Sequence, residues 1–445
     1  MNEWTKESIL QDAIDNKVSL VRLMYTDILG NIKNVEIPSA QLEKALDGHI
    51  TFDGSSMESF VRLEETDMHL QPDFSTWLIM EDMQHDNRNL AIIFCDIYTV
   101  DGTPYAGDPR SNLKRILNRM KDMGFSTFNI GPELEFFLFK RDDQGIPILE
   151  PTDDGSYYDI VPLNIAEACR RDIILKLEQM GYDIEISHHE VGRGQHEIDW
   201  KYTNAVEAAD KIVLFKLVAK MIARGHGLYA SFMPKPLNGV PGSGLHCNLS
   251  LFENDNNVFY DEFGERGFSK TAYHFLAGLL EFAPAYTAIV NPLINSYKRL
   301  VDGYEAPQYI GWSEKNRSPF ARIPRARGNS TRIEMRSLDA ATNPYLAFAS
   351  LLQSGLQGIE EEMIPPAEIR RNVYIMSKEE RYQKGIVDLP YDLGSAIDEL
   401  KDSPVILDAL GPEISDSYIA GKQLEYQSYI KFVSQWEIDR YFMDY

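Results

Sequence analysis

A chain of 445 residues, 44% hydrophobic and 25% charged, can bury a large core, and its length allows two or three domains. Forty-four Lys and Arg against 68 Asp and Glu give a net charge of −24, which repels phosphate backbones and argues against direct nucleic-acid binding as the main activity. Cys95, Cys169 and Cys247 are widely spaced with no CxxC pair, so neither a disulfide framework nor a zinc-finger site is expected, and a reducing cytoplasm fits.

Glu3, Glu7, Asp12 and Asp15 interrupt the N-terminus, leaving no apolar run of signal-peptide type. Thr5 can cap a short helix with Ile9, Leu10, Ala13 and Ile14 on one side. Val18 to Asp27 and Asn31 to Ile37 then read as a hairpin about Gly30-Asn31. Short strands continue over 49–103, including the β-rich run Leu90 to Tyr98. The turn-rich Gly102-Thr103-Pro104 and Gly107-Asp108-Pro109 mark a domain boundary. Beyond it, Leu113, Ile116, Leu117, Met120 and Met123 fall at helical spacing, closed by Gly124. A second helix ends at Gly181 and a third covers Ala205 to Arg224, with strands around Ile184 and His196 between them. The apolar stretch Tyr273 to Asn291 contains Glu281 and Pro284, so it reads as a core helix and no membrane span is expected. From Glu413 onward the chain reads as helix ending in Trp436, Tyr441, Phe442 and Tyr445. Such an aromatic tail usually docks, most simply on its own domain, less simply on another subunit.

Four stretches alternate ionisable and apolar residues as half-buried strands do. In Gly131-Pro132-Glu133-Leu134-Glu135-Phe136, the two glutamates share one face and Leu134 and Phe136 the other. Burying that pair requires cations; the bland alternative is a solvated acidic edge strand. Glu190 and Glu197 flank the Gly-rich turn of Ser187-His188-His189-Glu190-Val191-Gly192-Arg193-Gly194-Gln195-His196-Glu197-Ile198-Asp199, which could equally be a polar loop. Gly242-Ser243-Gly244-Leu245-His246 leads to Asn248 and Ser250 on the His246 face, where a lone histidine is more often a hydrogen-bonded core residue. In Thr331 to Leu338, Arg332, Glu334 and Arg336 face one way and Ile333 and Met335 the other, a pattern a wet salt-bridge ladder also gives.

Together the strands offer five glutamates and one histidine, an oxygen-rich set that suits Mg²⁺ or Mn²⁺ better than zinc, with ligands enough for two ions. Such ions are completed by phosphate, and Arg299, Arg317, Arg322, Arg332 and Arg336 form an arginine-rich complement in an otherwise acidic chain.

The ordered series Phe52-Asp53-Gly54-Ser55-Ser56, Gly131-Pro132-Glu133, Gln195-His196-Glu197-Ile198-Asp199, Gly242 to His246, Asn291-Pro292 with Asn295 to Arg299, Gly303-Tyr304-Glu305-Ala306-Pro307, and Arg332 to Arg336 resembles the bacterial type I glutamine synthetases over essentially the whole chain. The resemblance implies an α+β fold: a β-grasp domain over 1–103, and over 104–445 a catalytic, ATP-grasping domain whose antiparallel strands form an open barrel flanked by helices. It further implies a homododecamer of two face-to-face hexameric rings, with active sites between subunits. The activity implied is ATP-dependent ligation of ammonia to the γ-carboxylate of L-glutamate through γ-glutamyl phosphate. Two or more Mg²⁺ or Mn²⁺ ions per site are implied: Glu135, Glu190 and Glu197 would hold one, and Glu133, His246 and Glu334 another. Arg299 would hold the substrate α-carboxylate beside Gly242, Arg317 and Arg336 the transferring phosphate, and Arg322, Arg332, Asn248 and Ser250 the nucleotide. Asp53 of a neighbouring subunit, Tyr157 and Glu305 would form the ammonium site, with Glu305 on a closing flap.

Some positions depart from the family pattern. Leu134 stands where proline is frequent, Met57 and Ser59 alter the Asp53 loop, and Arg193 adds a cation between two ligands. The region around Asn372 to Met376 lacks the context of adenylylated forms. Arg62 and the short length resemble the subgroup inhibited by glutamine and read by a nitrogen-responsive transcriptional repressor. A related ligase acting on another amine, such as a polyamine or ethanolamine, would keep the metal and ATP residues but need not keep Asp53, Tyr157 and Glu305 together. A non-catalytic descendant should have lost metal or arginine positions, and none is missing here.

Overall fold

The computed structural model describes residues 4–57, 67–80, 89–160, 165–301, 306–314, 319–371 and 373–445. The chain opens with a helix, Lys6–Asp15, whose N-cap Thr5 accepts from the Ser8 amide. Strands β1 (Val18–Thr26) and β2 (Ile32–Pro38) then form the expected antiparallel hairpin. With β3 (Ile50–Asp53), β4 (Asp67–Pro72), β5 (Leu78–Met80) and β6 (Asn89–Thr99), they make a sheet of order β2-β1-β6-β4-β3, in which β5 also pairs with β6. β1 and β6 run parallel.

Because alternate strand residues point to opposite faces, this sheet has two apolar sides. Val21, Leu23, Ala91, Ile93 and Cys95 pack into a small core with Leu42, Leu46 and Leu70. Met24, Ile92 and Phe94 instead join the large core of the following residues. The junction also carries charge. Arg110, in the first turn of helix Pro109–Asp122, is 2% exposed and reaches Asp96 (2.6 Å) and Asp73 (2.8 Å) on the first sheet's side and Asp210 (2.9 Å) on helix Ala205–Gly225.

The second sheet is built around β7 (Thr127–Arg141), whose fifteen residues are long enough to pair with five neighbours: β8 (Pro147–Pro151), β10 (Gln195–Trp200), β11 (Thr203–Asn204), β12 (Tyr229–Ser231) and β13 (Leu245–Glu253). β9 (Ile184–His189) extends it beyond β10, and β14 (Asn256–Asn257) pairs with β13. On the other flank, past the short strand β15 (Tyr309–Ile310), come β16 (Trp312–Ser313), β17 (Ala321–Arg322) and β18 (Ile333–Met335), giving the order β16-β17-β18-β13-β7-β10-β9. Leu134, Phe136, Ile198, Leu245, Leu249, Ile333 and Met335 are fully buried on the face covered by helices, including Ala205–Gly225 and Pro344–Glu360. The opposite, half-barrel face is left for chemistry. The architecture is a small β-grasp domain followed by a larger domain of mixed helix and sheet.

Two expectations need correction. The stretch from Tyr273 to Asn291 is not one helix: it breaks at Phe282 into Lys270–Glu281 and Ala283–Val290, where Pro284 occupies the first turn of the second helix and lacks the amide a continuous helix needs. The C-terminal helix likewise divides into Pro412–Ile430 and Gln435–Tyr441, restarted by a Ser434 cap. Trp436, Phe442 and Tyr445 stay exposed, so the aromatic tail does not dock on its own chain.

Candidate active site

Strand register gathers the polar residues. Across the half-barrel face, Glu133 of β7 lies opposite His246 of β13 on one side and Asp199 of β10 on the other. Glu135 faces Glu197 of β10, which faces His188 of β9. On the far side Asn248 of β13 faces Glu334 of β18, and Glu334 faces Arg322 of β17. A row of ionisable side chains from six strands therefore shares one surface, because every apolar neighbour between them points the other way.

These side chains line a cavity of about 380 Å³. Glu133, His246 and Glu334 each present one ligand atom, and the three atoms lie within 4.8 Å of one another; His188, Glu190 and Glu197 do the same. His246 Nδ1 is 3.4 Å from Glu133, and His188 Nε2 is 3.3 Å from Glu197. Glu135 lines the same cavity, but its Oε2 accepts from the Gln195 side chain and the Gly244 amide, both at 2.9 Å. The first cluster is one expected set in full. The second contains two of the expected three, with His188 in the place given to Glu135.

The electrostatics of the cavity follow from burial and crowded carboxylates. Burial alone would raise the Glu133 carboxyl, yet the hydrogen bond and charge of His246, helped by Asn248, bring it down to about 2. Glu190 is pushed up to about 8 by burial and then by Glu135 and Glu197. Asp199 is pushed to about 10 by burial and by Glu197 and Glu133, and its Oδ1 is buried with no hydrogen-bond partner. So dense a group of buried carboxylates is stabilised by a nearby positive charge. Oxygen donors with one imidazole per cluster fit hard divalent ions such as Mg²⁺ or Mn²⁺, and fit zinc poorly.

A cationic wall stands beside the acids. Glu334 is fully buried and pairs with Arg336 at 2.6 Å and with Arg322. Arg299 is 3% exposed, held by the carbonyls of Ser337 (2.9 Å) and Arg336 (3.3 Å). It packs against Gly242, where an added Cβ would stand 2.1 Å from the Pro234 carbonyl oxygen, so the close approach requires glycine. Tyr157 is at the rim, edge-on to His188 with ring centroids 5.4 Å apart.

A second cavity, of about 280 Å³, shares Glu133, Ile186 and Asp199 with the first and is lined by Asn248, Ser250 and Arg332. Arg332 donates to Asn248 Oδ1 at 2.9 Å, and Asn248 donates in turn to Glu133 at 2.8 Å. The nucleotide candidates are thus hydrogen-bonded to a metal candidate.

Not every expected residue converges. Asp53 ends β3, accepts from the Ser55 amide at 2.9 Å, and lines neither cavity of this chain. Arg193 turns outward to Asp154 at 3.2 Å, so it does not stand between the ligands. Glu305, Arg317, Arg62, Ser59 and Asn372 lie outside the described residues. Sequence reasoning missed His188 and Asp199. The signal was present: His188 is two residues before Glu190 and Asp199 two after Glu197, the spacing that puts strand side chains on one face.

Two family models match the chain. The model for the glutamine synthetase catalytic domain matches residues 106–441, and that for the glutamine synthetase β-grasp domain matches 17–100. The chain belongs to the glutamine synthetase family. A glutamine synthetase of Staphylococcus aureus strain Mu50 is 54% identical over 442 residues, and one of Staphylococcus epidermidis is 53% identical, each alignment covering 99% of both chains. Among solved structures, a Plasmodium falciparum glutamine synthetase superposes with a TM-score of 0.87 at 25% identity, covering 99% of both chains. An apo GmaS structure gives 0.85 at 29%, covering 98% of this chain and 99% of that one. The activity is ATP-dependent ligation of ammonia to the γ-carboxylate of L-glutamate through γ-glutamyl phosphate, yielding glutamine, ADP and phosphate. ATP and divalent metal ions are what this family uses.

Proposed function

We propose that the two acidic clusters each hold one divalent ion, Mg²⁺ or Mn²⁺, and that the strand row divides the labour of the ligase. Glu133, His246 and Glu334 would bind one ion; Glu190 and Glu197, with Glu135 and His188 beside them, would bind the other. When bound, such ions offset charge on a phosphoryl group as it moves from ATP to a carboxylate. The observation that carries this reading is geometric: Glu133, His246 and Glu334, and likewise His188, Glu190 and Glu197, bring ligand atoms within 4.8 Å of one another around one cavity.

The chain's own residues supply the rest. Arg332, Asn248 and Ser250 orient the nucleotide in the second cavity, so that its phosphates enter the first over Glu133. Arg322 belongs to this nucleotide set while bracing Glu334. Arg299, buried and fixed by two carbonyls, presents its charge to the α-carboxylate of glutamate above Gly242. Arg336 and Arg317 stabilise the transferring phosphoryl group. A carboxylate must take a proton from ammonium before the nitrogen can attack, and Asp53 of a neighbouring subunit, with Tyr157 and Glu305, is assigned that task. Glu305 is also assigned the role of keeping water from the acyl phosphate.

The same reading divides the chain at 103/104 and assembles it as a cytoplasmic homododecamer of two hexameric rings. It includes control by glutamine through Arg62, without adenylylation, and contact with a nitrogen-responsive transcriptional repressor. No helix among the described residues is long and apolar enough to cross a membrane. Phosphate release from ATP plus glutamate, with and without ammonium, in Mg²⁺ and then Mn²⁺, tests the chemistry, and a panel of other amines tests the acceptor. Faster turnover with a methylated or larger amine than with ammonium would overturn the ammonium assignment.

A further inference from the structure

Behind the ion cavity lies a second titratable cluster. Asp153, which follows β8, and His189 and His196, on β9 and β10, each offer an atom within 4.8 Å of the others. The hydrogen bonds decide what this cluster is. His189 Nε2 is 2.8 Å from Asp153 Oδ1, and its Nδ1 is 2.6 Å from the Glu190 carbonyl oxygen. Both partners only accept, so both ring nitrogens donate and neither has a lone pair for a cation. His196 accepts on Nδ1 from Arg170 at 2.8 Å, which leaves its proton on Nε2. The cluster is therefore built to hold protein, not metal.

What it holds is the turn between β9 and β10. Asp153 Oδ1 also accepts from the Gly194 amide at 3.0 Å, at the far end of that turn from Glu190. At Gly194, φ is +66° and an added Cβ would meet the Leu138 carbonyl oxygen at 2.9 Å, so the turn seats against β7 only with glycine there. Inside the turn, the Glu190 amide donates to the Gln195 carbonyl (2.8 Å), and the Gln195 side chain donates to Glu135. The Tyr158 amide donates to the His189 carbonyl at 3.0 Å, tying in the segment that carries Tyr157. One carboxylate thus fixes both ends of the turn that begins at Glu190 and leads into β10, which carries Glu197.

We infer that Asp153, acting through His189 and Gly194, is a positioning residue that sets the ion site of Glu190 and Glu197. The inference rests on the proposed ion site at those glutamates. Outer partners that orient metal ligands typically change affinity by roughly 10- to 100-fold when removed, and a carbonyl clamp on Glu190 acts on the same sub-ångström tolerance.

Mn²⁺ titration of the full assembled protein, followed by the electron paramagnetic resonance of free Mn²⁺, separates the two claims. Glu197→Ala is expected to remove one class of bound ion. Asp153→Ala is expected to weaken that same class by roughly 10- to 100-fold and leave the other unchanged. Asp153→Asn, which keeps an acceptor oxygen for His189, should recover most of the affinity. Should Asp153→Ala fail to assemble, His189→Asn, which loses the Asp153 bond, takes its place with the same expectation. Unchanged Mn²⁺ binding, or equal weakening of both classes, overturns the positioning role; an unaltered Glu197→Ala titration instead overturns the ion site itself.

Discussion

Replacing Glu190 by Gln should make the metal-free protein more stable. In the folded chain the Glu190 carboxyl is pushed from its ordinary value of 4.5 to about 8, first by burial and then by Glu135 and Glu197. Between those two values the folded state binds more protons than the unfolded state. Stability therefore falls as pH rises through that window, by about 1.4 kcal/mol per pH unit for this group. At about pH 7 the accumulated cost is on the order of 3 kcal/mol, and above pH 8 it approaches about 5 kcal/mol. Gln keeps an oxygen to accept from the Val191 amide, as Glu190 Oε2 does at 2.8 Å, but never ionises. Thermal melting in EDTA, at matched protein concentration across about pH 4.5 to 8.5, should show the variant melting above wild type by a margin that grows with pH and vanishes near the acid end. Added Mg²⁺ should reverse the order, because ion binding stabilises the folded wild type by mass action and the variant has lost a proposed ligand. A metal-free variant no more stable than wild type at pH 8, or a margin independent of pH, would refute the reasoning.

Glu334→Ala should leave the mass measured by light scattering equal to that of wild type while nearly abolishing glutamate-dependent phosphate release, since it removes a proposed ion ligand and unpairs Arg322 and Arg336; retained turnover would count against the site. Arg332→Ala should raise the KM for ATP by roughly tenfold, the loss of one charge-assisted contact of about 1.5 kcal/mol, with the KM for glutamate little changed in steady-state kinetics. Arg110→Met should cost on the order of 3 to 5 kcal/mol, because removing a buried cation leaves carboxylates uncompensated. Denaturant melts would show it, and an unchanged midpoint would mean that Lys114, which also reaches Asp73 and Asp96, carries the junction alone.

Much of the site was legible because a strand converts sequence parity into spatial sides. Glu133, Glu135, Glu197, His246 and Glu334 could be read from alternation with Leu134, Phe136, Ile198, Cys247 and Ile333, and the first β hairpin from its Gly-Asn turn. Register was not legible. That Glu133 would stand between His246 and Asp199, or Glu197 between Glu135 and His188, depends on which strands pair, and parity says nothing about pairing. The same gap concealed the clamp at Asp153, since its partners lie about forty residues away in sequence. The break at Phe282 follows from the missing amide of Pro284, whereas the exposed C-terminal aromatics have a different reason. Apolar composition states that a segment seeks cover, not whether its own chain provides it.

The first sheet, apolar on both sides, makes its domain a poor candidate for separate life. Cut loose after residue 103, it would present Met24, Ile92 and Phe94 bare to water and lose the guanidinium that neutralises Asp73 and Asp96. Shuffling this unit among relatives would therefore demand exchange of the matching helix surface as well, so the two halves are expected to have changed together as one inherited piece.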